Sequence, residues 1–109
     1  MDLQSLKSLK DGWHGEDSKT VPKHVLELLP LVLQEFGDAR LGAIPEGGVD
    51  VRWIKDRVLL CMETDEYFLI HCPEDCENVE DVMVESHTYQ DPVIETTKIF
   101  MYMVNQEIY

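Results

Sequence analysis

The fold is decided by residues 47–72, GGVDVRWIKDRVLLCMETDEYFLIHC. From Val49 to Trp53 apolar and polar residues alternate, which is the period of a β-strand with one buried and one solvated face. Short polar breaks at 55–56 and 64–66 divide the rest of the stretch into two further strands. Consecutive strands with connections this short favour antiparallel pairing. The stretch therefore predicts a three-stranded antiparallel meander.

The middle strand differs from its neighbours in composition. It runs from Arg57 to Glu63, RVLLCME, and its apolar residues follow one another without alternation. An uninterrupted apolar run bounded by turns is typical of a strand covered on both faces. Because an isolated meander cannot bury its own apolar surface, we expect other parts of the chain to pack on it.

Two helices are predicted before the meander. Leucines spaced by three predict a short amphipathic helix over residues 2–10, and Trp13 in the turn that follows is predicted to plug the end of the core. A second, leucine-rich helix is expected to begin with Thr20 as its N-cap and to end at Gly37. Pro30 lies inside this helix, where it should kink the helix or end it early.

The remaining segments complete the predicted fold. Residues 37–46 are expected to form the connection to the meander, and residues 79–89 are interpreted either as a fourth strand or as a loop followed by a strand. Asp91 and Pro92 form a typical helix start, an N-cap followed by a first-turn proline. Residues 1–109 are therefore predicted to be one α+β domain, an antiparallel sheet of three to four strands with N-terminal helices and a C-terminal helix packed on it.

Composition limits the classes of function. The 109 residues include 22 acidic and 9 basic side chains, which gives a net charge of −13 at pH 7. Direct binding to nucleic acid or to an anionic membrane depends on clustered Lys and Arg, so we expect neither. The apolar runs are too short to cross a bilayer, and the N-terminus lacks the apolar core of a signal peptide. Three cysteines without a framework spacing indicate reduced thiols, and we therefore expect a cytoplasmic protein.

Candidate groups for metal binding or catalysis are few. Four residues are candidate ligands of a zinc site, namely His71, Cys72, Cys76 and His87. Zinc needs ligands that converge on one point, whereas His71 and Cys72 are adjacent in a strand and point to opposite faces. The chain has no G-x-S-x-G, no H-E-x-x-H and no phosphate-binding glycine loop, and nothing marks Cys61, Cys72 or Cys76 as an activated nucleophile. We predict no metal, no cofactor and no enzymatic activity.

The distribution of charge is the feature that points to a function. No Lys or Arg occurs from Val58 to Thr97, and this stretch carries eleven carboxylates. Such a run is either a solvated face or a recognition surface for a strongly basic partner, and the sequence leaves both interpretations open. On the second interpretation, the partner-binding residues are Glu63, Asp65, Glu66, Glu74, Asp75, Glu77, Glu80, Asp81 and Glu85.

The order of motifs in residues 3–72 resembles a family of small uncharacterised bacterial and phage proteins. The motifs are L-x-x-L-x-x-G-W-x-G, a proline-started helix, and P-x-G-G-V-x-V-x-W followed by a strand pair. The residues that carry them are Leu6, Leu9, Gly12, Trp13, Gly15, Pro22, Pro45, Gly47, Gly48, Val49 and Trp53. His14 and Arg52 stand where that pattern is expected to have acidic residues. The resemblance implies only the predicted fold and a prokaryotic or phage origin. By size, acidity and lack of a catalytic motif, the chain is also similar in type to phage-encoded anti-CRISPR inhibitors.

Two functional hypotheses follow. The first is a non-enzymatic inhibitor, encoded by a phage or mobile element, that binds a basic nucleic-acid-binding protein complex in the bacterial host cytoplasm through its acidic second half. The second is an antitoxin or immunity protein that masks a toxin, or a chain that forms a homodimer. It is motivated by apolar rather than acidic surface, in the leucine-rich helix and at the C-terminal end.

Overall fold

Three helices and five strands make up the described part of the chain, residues 2–15, 18–71 and 83–107 of a computed structural model. In chain order they are α1 (Leu3–Lys7), α2 (Lys23–Phe36), β1 (Arg40–Ile44), β2 (Gly48–Trp53), β3 (Val58–Met62), β4 (Glu66–His71), β5 (Met83–Thr88) and α3 (Val93–Glu107). Each strand pairs antiparallel with the next, in the spatial order β1-β2-β3-β4-β5. The protein is therefore an α+β protein built on an antiparallel meander, as the sequence predicted.

The sheet has one strand more than the three to four predicted. β1 lies in the segment expected to be only a connection, and it pairs with β2 through five residue pairs, from Arg40↔Arg52 to Ile44↔Gly48. The segment carries a glycine and an alanine at its centre, and both have low strand propensity. The segment becomes a strand because it pairs with the edge of β2. Sequence periodicity within the segment does not show this pairing. Both interpretations of residues 79–89 included a strand, and that strand is confirmed as β5. Residues 79–82, which distinguish the two interpretations, lie outside the described residues.

One face of the sheet packs against the helices and forms the core. Along β2, β3 and β4 every second side chain is buried on this face, as the two-residue period of a strand requires. These side chains are at most 4% exposed and are Val49, Val51, Trp53, Val58, Leu60, Met62, Tyr67 and Leu69. The helices contribute Leu6 from α1, Val25, Leu29 and Val32 from α2, and Val93, Phe100 and Val104 from α3.

The second face of β3 is not packed into this core. Leu59 and Cys61 are only partly buried and lie outside the core cluster. The second face of β3 is therefore only partly buried, which is less than the prediction of a strand covered on both faces. An uninterrupted apolar run specifies a strand, but what covers its second face depends on the rest of the structure.

The helices follow the predicted order with local differences. α1 is shorter than predicted, and α2 begins after Pro22 without a side-chain cap. Thr20 does not cap α2, because Pro22 occupies the N-cap position. The backbone N–H of Thr20 donates instead to the Asp11 carboxylate (3.2 Å) in the preceding turn. α2 continues through Pro30, which is exposed, and ends at Gly37 with a φ of 88°, as predicted.

Trp13 does not plug the core. Its ring is partly buried, and its indole N–H donates to the carbonyl of Lys19 (2.7 Å). Trp13 therefore links its own turn to the segment that leads into α2.

The predicted C-terminal helix is confirmed as α3, and its inward face buries Val93, Thr97 and Phe100. None of the helices in the described ranges has the length and apolar character needed to span a membrane.

Candidate protein-binding site

The turn between β3 and β4 brings three of the predicted acidic residues together. Glu63, Asp65 and Glu66 lie on this turn, and Glu46 lies on the neighbouring turn between β1 and β2. With Gly47 and Thr64 these residues line one shallow cavity of about 280 Å³. We call Glu46, Glu63, Asp65 and Glu66 the acidic edge. Glu46 was not among the residues predicted from the sequence, since it is 17 positions from Glu63 and joins it only through the pairing of the strands.

Hydrogen bonds from three directions hold the backbone of the acidic edge. The carbonyl of Glu63 accepts a hydrogen bond from the Tyr89 hydroxyl, and the carbonyl of Thr64 lies 2.8 Å from Nε2 of His24. The Thr64 hydroxyl donates to the carbonyl of Gly47 (3.3 Å), which links the two acidic turns. Within the hairpin, the N–H of Glu63 donates to the carbonyl of Glu66 (2.9 Å). Among the carboxylate residues, Glu46, Asp65 and Glu66 are exposed and Glu63 is partly buried.

The carboxylates of the acidic edge have no basic partner among the described residues. Where the structure does show ion pairs of Lys with carboxylates, they lie on the helices, at Lys23–Glu27 (3.9 Å) and Lys98–Glu35 (2.9 Å). Four carboxylates on two adjacent turns repel one another through solvent, and a cationic partner would relieve that repulsion. The acidic edge is therefore available for an intermolecular contact.

Glu85 does not join the acidic edge. The alternation of β5 places it on the side of the sheet that faces the helices, where its Oε1 lies 2.9 Å from Nε2 of His87. The other ring nitrogen of His87 lies 3.1 Å from the Asp91 carboxylate, and the ring stacks on Tyr67 at a centroid distance of 5.4 Å. Burial lowers the pKa of His87, but the two carboxylates outweigh that effect and raise the pKa above its ordinary value. Glu85 therefore forms an ion pair with His87 within the chain when His87 is protonated.

The other predicted acidic residues lie outside the described part of the chain. They are Glu74, Asp75, Glu77, Glu80 and Asp81. Cys72 and Cys76 of the candidate zinc ligands lie outside it as well. Of the predicted partner-binding residues, the described part of the chain therefore brings together only Glu63, Asp65 and Glu66.

The described His, Cys, Asp and Glu side chains are the candidates for metal binding and thiol chemistry. No three His, Cys, Asp or Glu residues within residues 2–15, 18–71 and 83–107 are placed to hold a metal ion together. His71 is buried on the helix-facing side of β4, and its Nε2 has no hydrogen-bond partner among the described residues. Burial and the neighbouring Asp50 carboxylate raise the pKa of the Cys61 thiol to about 12. Cys61 is therefore a neutral thiol at physiological pH, and a neutral thiol is a poor nucleophile.

A second surface was not anticipated from the sequence. The sheet face turned away from the helices, which we call the open face, carries apolar side chains in its middle and two arginines at one end. By the strand register its apolar residues are Leu59, Cys61, Phe68, Ile70 and Val84, its arginines are Arg40 and Arg52, and Asp50 lies on it opposite Cys61. The signal in the sequence was the lack of alternation in β3 and β4, which makes both faces apolar.

Comparisons of the chain with protein-family models, with curated protein sequences and with solved structures gave no match.

Proposed function

We propose that the chain is a non-enzymatic inhibitor that binds a basic, nucleic-acid-binding protein complex of a bacterial host through its acidic edge. This is the mode of action expected of a phage or mobile-element protein of the anti-CRISPR type. The observation that carries the proposal is the cluster of four carboxylates on two hydrogen-bonded turns, without a basic partner in the described residues. The net charge of −13 supports it, since the whole molecule is attracted to a cationic groove.

The acidic edge contacts its partner as nucleic-acid phosphates would. A groove that binds nucleic acid presents Arg and Lys side chains to phosphate oxygens, and carboxylate oxygens accept the same charge-assisted hydrogen bonds. Because the turns are held by hydrogen bonds before binding, little conformational freedom is lost when the carboxylates dock. Each exposed ion pair contributes up to about 1 kcal/mol, so four together contribute a few kcal/mol and accelerate association.

The test is a charge reversal at three positions of the acidic edge, Glu46→Lys, Glu63→Lys and Asp65→Lys in one chain. A matched control carries the same change of charge on exposed residues away from it, Glu27→Lys, Asp38→Lys and Glu95→Lys. Both proteins are immobilised beside the native chain and used to capture partners from a bacterial lysate at 50 and 300 mM salt. Circular dichroism confirms that each is folded.

The expected result is specific loss of the captured protein from the edge variant. The native chain and the control should retain a basic nucleic-acid-binding protein at low salt and release most of it at high salt, because exposed charges are screened beyond about 10 Å at 0.1 M. Retention of the same partner by the edge variant would refute the proposal. Binding by the native chain that does not change with salt would refute it as well.

A further inference from the structure

The segment between β5 and α3 holds a histidine between two carboxylates. His87 lies near the end of β5, where its Nε2 is 2.9 Å from Oε1 of Glu85 and its Nδ1 is 3.1 Å from Oδ2 of Asp91. Glu85 belongs to the same strand, and Asp91 lies in the turn that leads to α3. The ring of Tyr67 stacks on the imidazole from β4. Among the described residues no side chain of α3 forms an ion pair with this ring, so these three residues are the charged or titratable groups that face it.

The two contacts of His87 require a protonated ring. An ionised carboxylate only accepts hydrogen bonds, whereas a neutral imidazole has one N–H and one nitrogen without a proton. The imidazolium form alone donates from both nitrogens, so it alone satisfies both carboxylates. In the neutral form one nitrogen would turn its lone pair toward a carboxylate, and Glu85 and Asp91 would repel each other without a positive charge between them. Although burial lowers the pKa of His87, these two carboxylates outweigh it and raise the pKa.

The contact with Asp91 is the one that opens when the ring loses a proton. The Asp91 side chain is 59% exposed, and the Glu85 side chain is 31% exposed. A carboxylate without a donor is costly where water does not reach it, so Asp91 is released at a lower cost than Glu85. The remaining proton therefore stays on Nε2, which faces Glu85, and Nδ1 loses its bond to Asp91.

Asp91 belongs to a short segment that reaches the acidic edge. Its backbone N–H donates to the carbonyl of Thr88 (3.1 Å), and its own carbonyl accepts from the Tyr67 hydroxyl (2.9 Å). Between Thr88 and Asp91 in the chain lies Tyr89, whose hydroxyl donates to the carbonyl of Glu63 in the acidic edge. The rings of the two tyrosines are 5.4 Å apart. The position of Asp91 therefore affects a side chain that supports the acidic edge.

The two tyrosines keep their hydroxyl protons while His87 titrates. Burial raises the pKa of Tyr67 and of Tyr89 above the ordinary value of about 10. Both hydroxyls therefore remain donors between pH 5 and 9. Within this group of side chains, the proton that is lost as the pH rises in that range comes from His87.

We propose that the segment from His87 to Asp91 is a pH-sensitive clasp on the acidic edge. With the ring protonated, Asp91 is held to β5 and Tyr89 supports the carbonyl of Glu63. Loss of the proton releases Asp91, and the part of the segment that carries Tyr89 loosens with it. That this opening weakens the binding of a basic partner rests on the proposed function, whereas the clasp itself is a property of the chain alone.

The sign of the pH dependence follows from the direction of the pKa shift. The contribution of His87 is complete below about pH 6.5, the ordinary value of a histidine in an unfolded chain. It is lost as the pH rises through the higher pKa of the folded protein. The clasp is therefore closed in mildly acidic solution and opens toward alkaline pH.

The experiment is nuclear magnetic resonance of the isotope-labelled full chain, without any partner, from pH 5 to 9. The chemical shifts of the ring nitrogens of His87 distinguish the imidazolium form from the two neutral forms. Hydrogen exchange, corrected for the intrinsic rate at each pH, is measured at two backbone amides. The amide of Asp91 reports the clasp, and the amide of Glu63, which donates to the carbonyl of Glu66 (2.9 Å), reports the acidic edge.

Three variants accompany the native chain. Asp91→Asn removes the charge and keeps the shape of the side chain. Its matched control is Asp38→Asn, the same change on an exposed residue between α2 and β1. His87→Gln removes the titrating ring. Because Nε2 of His24 lies 2.8 Å from the carbonyl of Thr64, a pH dependence that His87→Gln retains at Glu63 belongs to that separate contact.

The ring and the two amides should respond together. His87 should be mainly imidazolium at pH 6.5 and should become the form protonated at Nε2 as the pH rises. The protection of both amides should fall at the same midpoint by up to about fivefold, the factor that one exposed ion pair contributes to an equilibrium constant. Asp91→Asn should lower the midpoint, and Asp38→Asn should leave it unchanged. The response at that midpoint should be absent from His87→Gln.

Three results would overturn the inference. One is a native ring that is mainly neutral at pH 6.5. Another is protection at Asp91 that does not follow the titration of His87, or that changes in the same way in His87→Gln. The third is protection at Glu63 that stays constant while Asp91 responds, which would disconnect the clasp from the acidic edge. The first and third are measured on the native chain, so they decide the matter even where a variant fails to fold. A charge-reversed edge variant that keeps its partner, beside an intact pH response of the native chain, would refute the proposed function and leave the clasp.

Discussion

Replacement of Trp53 by alanine should destabilise the fold strongly. The side chain is 4% exposed at the end of β2, where its indole N–H donates to the carbonyl of Gly37 (3.2 Å). Its ring meets the edge of Phe36, the last residue of α2, at a centroid distance of 5.6 Å. Trp53 therefore joins the sheet to the C-terminal end of α2 by three kinds of contact.

The size of the effect follows from these contacts. Truncation of a buried tryptophan to alanine costs about 3–5 kcal/mol, of which the hydrogen bond supplies about 1 kcal/mol and the aromatic pair about 0.5–1.5 kcal/mol. The remainder is the loss of buried apolar area. Native proteins have a free energy of unfolding of about 5–15 kcal/mol, so this loss is a large fraction of it.

Urea denaturation followed by circular dichroism measures the change. With a slope of about 1.5 kcal/mol per molar urea, a loss of 3 kcal/mol lowers the midpoint by about 2 M. Trp13→Ala is the matched control, since Trp13 is partly buried, lies outside the core and makes one hydrogen bond. The free energy of unfolding of Trp13→Ala should be about 1 kcal/mol lower than that of the native protein. A midpoint of Trp53→Ala within about 0.5 M of the native value would refute the assignment of Trp53 to the core.

Three further predictions concern single side chains. Gly48→Ala should cost at least about 2 kcal/mol in the same urea assay, because its Cβ would lie 2.3 Å from the carbonyl oxygen of Met62; Gly42→Ala, with nothing within 4 Å, is the control and should be close to neutral. His87→Gln should lower the free energy of unfolding by up to about 1 kcal/mol between pH 5 and 6.5 and by less at pH 9, as measured by the melting temperature at each pH. A difference between the native and variant proteins that does not depend on pH would contradict this prediction. The sign follows from the raised pKa of His87, because its stabilising contribution is complete below the unfolded value and is lost as pH rises through the folded value. Thr97→Val should raise the free energy of unfolding by about 1 kcal/mol, since the Thr97 hydroxyl is fully buried and has no hydrogen-bond partner in the described part of the chain; a less stable variant would show that this hydroxyl is satisfied.

The elements with a strong local pattern were predicted correctly from the sequence. Alternation from Val49 to Trp53 identified β2, and the N-cap and proline at 91–92 identified the start of α3. These patterns are local, because period and capping depend on residues within a few positions of each other. β1 was missed because its pattern is weak and its strand conformation depends on pairing with β2.

The candidate site was predicted only in part, for a related reason. Glu63, Asp65 and Glu66 are close in sequence and remain together in the structure. Glu85 lies in the same acidic stretch but points to the helix side, since a strand alternates its side chains between faces. Glu46 joins the site from another turn, which only the strand pairing brings near.

The sequence by itself determined an acidic α+β protein with an antiparallel meander, because charge is a sum over residues and strand periodicity is a property of short segments. Only the tertiary structure decided which face of the sheet is buried and which residues meet across strands. Register pairs Arg40 with Arg52 and sets Glu66 at the far end of the same face, although the sequence separates them by many positions. Contacts of this kind depend on how strands pair and on which side the helices pack, and neither is encoded in the spacing of residues along one segment.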